Sequence, residues 1–66
     1  MTVLVFPRHI RGAKLCTRGA REWFAANGLD WNDCVTNGIA DDVLTATGDP
    51  LAIRAAEFAR KESERG

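Results

Sequence analysis

A chain of 66 residues carries one domain at most, close to the lower size limit for independent folding. Such a domain has only ~3–5 kcal/mol of net stability unless a staple or a partner adds to it. A composition of 45% hydrophobic and 27% charged residues excludes a disordered tail, and the longest apolar run, Val3-Leu4-Val5-Phe6, excludes a bilayer span.

Nothing in the sequence resembles a signal peptide, so a soluble, cytosolic chain is expected. The net charge is zero but segregated. Residues 1–21 hold Arg8, Arg11, Lys14, Arg18 and Arg21 and no acid, a balance of +5. Residues 22–66 hold all nine acids against Arg54, Arg60, Lys61 and Arg65, a balance of −5. Either the two halves face each other in the fold, or a basic patch is offered to an acidic surface or to phosphate.

Thr2 to Phe6 is rich in β-branched and aromatic residues and reads as a strand ended by Pro7. A lone strand leaves backbone groups unsatisfied. Residues 9–14 offer only a weak return strand. The segment is therefore expected either as an extended arm over residues 1–8, docked on the helices, or as an edge that pairs with a second chain.

From Leu15 to Asn27, the residues Leu15, Cys16, Ala20, Trp23, Phe24 and Asn27 recur at helical spacing, with Thr17 as a cap and Gly28 as the left-handed stop. Asp30 then reads as an N-cap, with Asp33 in a capping-box position and Leu29 and Cys34 as a hydrophobic staple. This second helix is expected to bury Trp31, Cys34 and Val35 and to end at Asn37-Gly38, after which Ile39 enters the core. A short helix from Asp41 to Thr47 contributes Val43 and Leu44. Thr47-Gly48-Asp49-Pro50 combines a stop, a cap and a first-turn proline. The last helix, Pro50 to Ser63, sets Leu51, Ala52, Ala55, Phe58 and Ala59 on one face, with a solvated tail from Arg60 onward. Gly12 has no evident reason.

The fold class that follows is mainly α: a compact bundle of three to four short helices spanning residues 15–63, with an N-terminal extended strand. Its expected core is Cys16, Trp23, Phe24, Trp31, Cys34, Leu44 and Phe58.

Chemistry is sparse. Cys16, Cys34 and His9 are too few for a structural zinc site, and both cysteines are expected on apolar faces as small hydrophobes. Nothing sets His9 beside either sulfur. Asp30, Asp33, Asp41 and Asp42 read as caps and first-turn residues. No phosphate-binding glycine loop or Ca²⁺ loop is present in the sequence. No catalytic residue, cofactor or metal is therefore assigned. A nucleic-acid role would fall to Arg8, Arg11, Lys14 and Arg18, because the helix from Asp41 carries two acids and no base.

The pattern Cys16-x-x-Gly19-x-Arg21-x-Trp23-Phe24, then Gly28-Leu29-Asp30-Trp31, Gly38-Ile39 and Leu44-x-x-Thr47-Gly48-Asp49, resembles a group of small proteins encoded by tailed bacteriophages and prophages. The likeness covers roughly residues 8–60. That group more often carries an aromatic residue where Cys34 stands, which implies a core slot there. The resemblance brings no catalytic residues. It implies a non-enzymatic phage protein that binds other proteins, first as a minor virion or assembly component, in the virion or in the cytoplasm of the infected bacterium. Docking is expected through Val3, Leu4, Val5, Phe6, Arg8 and Arg11, with a phage structural protein, a host protein or a second copy as partner, and no membrane. The alternatives are a small nucleic-acid-binding regulator and an inhibitor of a host protein.

Overall fold

The computed structural model describes residues 2–65. In chain order these form β1 (Leu4–Val5), α1 (Pro7–Gly12), α2 (Thr17–Ala26), α3 (Trp31–Asn37), β2 (Ile39–Ala40), α4 (Asp41–Ala46) and α5 (Pro50–Arg65). The mainly helical bundle with a short strand is as expected, with five helices among the described residues.

The free N-terminal edge is not. β1 pairs antiparallel with β2 of its own chain, Leu4 against Ala40 and Val5 against Ile39. The pairing continues beyond the strands. The Asp41 amide donates to the Val3 carbonyl at 2.9 Å, and the Val3 amide donates to Asp41 Oδ1 at 3.1 Å. Met1 of the expected arm lies outside the described residues. The partner strand has no sequence signature, because two residues squeezed between a turn glycine and a helix start show no alternation. Gly38 makes the crossing possible. Its φ is +76°, and a Cβ there would come within 2.8 Å of the Phe6 ring and 3.1 Å of Leu4 Cβ.

The arm also ends earlier than residue 8, because Pro7 opens a helix instead of only closing a strand. Phe6 is the N-cap, and its amide donates to His9 Nδ1 at 2.9 Å. His9 thus fills the role that a glutamate or glutamine plays three residues past a helix cap. The far end of α1 is closed by a Schellman motif. The Leu15 amide donates to the Ile10 carbonyl at 3.1 Å and the Lys14 amide to the Arg11 carbonyl at 2.9 Å. The left-handed position is Lys14, with φ +63°, where a glycine is usual. Gly12 has a different duty: a Cβ there would lie 2.5 Å from the Phe58 ring, so its absence lets α5 close on α1.

The later boundaries follow their sequence signals. Gly28 closes α2 with the same bond pattern, Leu29 amide to Phe24 carbonyl at 2.7 Å. The Asp30 carboxylate accepts from the amides of Asn32 at 2.9 Å and Asp33 at 3.3 Å. Asp33 itself takes no part in a capping box and accepts from Asn37 Nδ2 instead. Asp49 caps α5 at the Leu51 amide, 2.9 Å away.

The core is made of Val5, Ile10, Ala20, Trp23, Phe24, Cys34 and Leu44, with Ala52, Ala55, Ala56 and Ala59 of α5. Phe24 links the aromatic trio, 4.8 Å from the Trp23 ring and edge-on to Trp31 at 5.1 Å. Four alanines at helical spacing let α4 and β1 lie close against α5.

Several core assignments need correction. Cys16 is exposed, because it is the N-cap of α2 and lies outside the helical stripe. Trp31 and Phe58 are only half-buried. Val35, Val43 and Leu51 are exposed. In helices of six or seven residues only one face can be covered. Cys34 takes that face in α3, and Asp41 and Leu44 take it in α4. The tail is not free either, since Arg60 and Glu62 make tertiary contacts.

Gly28 and Gly38 give a matched test. Both have positive φ, but nothing lies within 4 Å of a Cβ at Gly28. Gly28→Ala is expected to cost about 1–2 kcal/mol for backbone conformation alone. Gly38→Ala carries that cost plus an overlap with Phe6 of about 1–3 kcal/mol. Urea unfolding of the two variants measures the difference, and equal losses would mean that the β1 crossing tolerates a side chain at Gly38.

Candidate functional site

The two oppositely charged halves hardly neutralise each other by contact. Arg8 pairs with Glu62 across the halves. Arg60 pairs with Asp41 at 2.5 Å and approaches Asp42 at 3.8 Å, all within the acidic half. Arg11, Lys14, Arg18 and Arg21 are exposed and form no ion pair among the described residues.

Three of the arginines meet in one groove of about 470 Å³ between α1, α2 and α3. Each helix contributes residues one turn apart. Arg8 and Arg11 come from α1, Thr17 and Arg21 from α2, and Trp31 and Val35 from α3, with Phe6 and Pro7 completing the lining. Val35 is 53% exposed. The Arg21 guanidinium lies over the Trp31 ring, 5.5 Å from its centroid, a cation–π contact of about 0.5–1 kcal/mol at an exposed position. The lining is thus apolar and cationic in alternation, with one hydroxyl.

Of the residues expected to dock a partner, the fold brings Phe6, Arg8 and Arg11 together here. Val5 is fully buried, Val3 is held by Asp41, and Leu4 does not line this groove. The expected nucleic-acid set divides as well. Lys14 lines a second groove with Arg54, Phe58 and Lys61, and Arg18 lines neither of the two. Sequence reading missed Thr17, Arg21 and Val35 and gave Trp31 to the core. No local signal separated them, since Trp31, Cys34 and Val35 at i, i+3 and i+4 read as one buried stripe.

The titratable groups inside the fold are already engaged. His9 is buried, and because its Nδ1 accepts from the Phe6 amide, its proton sits on Nε2 and points to Glu62 Oε1 at 3.2 Å. Burial, helped by the neighbouring Arg8, lowers its pKa below the ordinary imidazole value, against the pull of Glu62. Arg8 holds the Glu62 carboxyl below the usual range. The Cys34 thiol is pushed up to about 11, first by burial and then by Asp33. It donates to the Val5 carbonyl at 3.4 Å. A thiol so disposed is protonated at neutral pH, and both nitrogens of His9 face other partners. Among the described residues, no group of three or more His, Cys, Asp or Glu side chains is placed to hold a metal ion, and no helix is long and apolar enough to cross a membrane. Comparison with protein-family models, with curated proteins and with solved structures finds no match.

His9 makes stability pH-dependent in a defined window. Its folded-state pKa is depressed from 6.5, so the unfolded chain takes the proton first as pH falls. The contribution is complete above about pH 6.5 and is lost as pH drops through that value towards the folded one. Protonation also turns Nδ1 into a donor facing the Phe6 amide. His9→Gln keeps an acceptor for that amide without titrating. Urea midpoints recorded from pH 7.5 to 5 should fall for the wild type and stay flat for the variant; equal slopes would contradict this role.

Proposed function

We propose that this chain is a non-enzymatic small phage protein that acts by binding another protein, as a minor virion or assembly component. It would work in the virion or in the cytoplasm of the infected bacterium. The phage setting rests on the resemblance of the residue pattern. The binding role rests on one observation: Arg11 of α1 and Arg21 of α2, neither in an ion pair among the described residues, stand beside Trp31 and Val35 of α3 in one groove. His9, Cys34 and Asp41, the buried reactive or charged groups, are meanwhile engaged in backbone and ion-pair contacts. Docking through Thr2–Phe6 as an added strand is set aside, since β1 already has a partner in its own chain.

A nucleic-acid regulator remains the second reading, because Arg11, Lys14, Arg18 and Arg21 lack acidic partners among the described residues. Against it, the bases do not converge on one surface groove. A phosphate-driven interaction would lose affinity steeply with salt.

Mass spectrometry of purified virions tests the first reading. The chain is expected at low copy number, and Trp31→Ala should fold, by circular dichroism and melting temperature, yet be on the order of tenfold depleted from particles. Absence of the wild-type chain from virions would overturn the assembly role. Duplex binding with a steep salt slope would favour the regulator.

A further inference from the structure

We propose that the groove between α1, α2 and α3 takes an acidic peptide segment with an apolar anchor, and that Arg21 moves off Trp31 to meet a carboxylate of that segment. This rests on the protein-binding reading and names the partner's chemistry and the place it occupies.

Charge sets the first requirement on an occupant. Arg11 and Arg21 have no acidic partner among the described residues, and Arg8 shares Glu62 with His9. An occupant without carboxylates would strip water from guanidinium groups and give nothing back, which is costly. A ligand that was only an anion would fare poorly for the opposite reason. Val35 is half-exposed on the groove wall beside the Trp31 ring, and an inorganic phosphate would leave both against water. Both features are satisfied together by a short stretch in which Asp or Glu side chains flank an aliphatic or aromatic one.

The dimensions agree. A volume of about 470 Å³ in an open groove accommodates a few residues of a short segment. A nucleic acid fits less well. Its backbone asks for a row of cations, whereas Lys14 lies in a separate groove, Arg18 lies in neither, and Val35 and Pro7 offer a base no hydrogen bond.

Arg21 is the adaptable part. Its contact with Trp31 shields the ring in the free chain, and a surface contact of this kind exchanges readily. A carboxylate offers the guanidinium a bidentate partner and frees the indole face for the apolar anchor.

The test uses the full chain, ¹⁵N-labelled, and short peptides selected from a random display library. The two indole N–H signals, from Trp31 and the buried Trp23, report separately, and Trp31→Phe assigns them. The selected sequences should combine Asp or Glu with Leu, Phe or Trp. Adding a synthetic consensus peptide should shift the Trp31 indole signal and leave that of Trp23 in place. Arg11→Gln and Arg21→Gln should each weaken binding on the order of tenfold. Replacing the peptide's glutamates by glutamine should do the same, and its effect should largely vanish on the Arg21→Gln background.

Peptides without acids, or peptides that bind while Trp31 is unmoved, would overturn this inference and leave protein binding intact at another face. Concentration-dependent self-association that perturbs Trp31 would also overturn it, with a second copy as occupant. A single-stranded oligonucleotide that shifts Trp31 where no peptide does, with affinity falling steeply in salt, would overturn both this inference and the protein-binding reading.

Discussion

Asp41 is the joint on which this small fold depends. It is 3% exposed, sits at the first position of α4, and holds the Val3 amide through one oxygen and Arg60 of α5 through the other. Arg60 reaches on to Thr45 Oγ1 at 3.1 Å. One carboxylate thus ties the strand, the short helix and the long helix together. A buried charge is tolerable only when its lone pairs are filled, and here they are. Arg60 draws the Asp41 carboxyl below its ordinary range, with burial opposing and the Val3 amide assisting. The acid is therefore charged wherever the fold is stable, and its contribution fades only as pH falls past the usual carboxylate value near 3.8. The His9 transition begins higher, as pH falls below about 6.5.

A chain with so short a core cannot rely on burial alone to place its ends. Five of the eleven buried hydrophobic residues are alanines, whose small side chains bring helices close but remove little surface from water. Directional contacts supply the remaining order. Phe6 and His9 close the start of α1, Cys34 holds the Val5 carbonyl, and Phe58 fits over Gly12. Each of these joins segments that are distant in sequence or marks a helix boundary.

This explains what could be read from the residues and what could not. Asp30, Gly28 and the Gly48-Asp49-Pro50 run were legible because their local chemistry has few other uses. α1 was hidden because His9 acts where glutamate is expected and Lys14 adopts a conformation usually left to glycine. β2 was hidden because its two residues gain their meaning only from Leu4 and Val5, more than thirty positions earlier. In the groove, Phe6, Arg8 and Arg11 were marked by their segment's charge and aromaticity. Trp31 and Val35 were not, since apolar residues at helical spacing read as core.

The distribution of charge has a cause on one side only. Among the acids, Asp30 and Asp49 cap helices, Asp33 binds Asn37, Asp41 holds Val3 and Arg60, and Glu62 serves Arg8 and His9. The acidic half is largely engaged by the architecture itself. The basic half is not: beyond Arg8, its cations contribute only a stacked guanidinium over Trp31, and their mutual repulsion works against the compact state. Like charges gathered around a half-buried indole and an exposed valine do little for this fold by themselves. Their arrangement becomes favourable when an opposite charge arrives together with something apolar, which is the ground for proposing the groove, and not β1, as the surface for a partner.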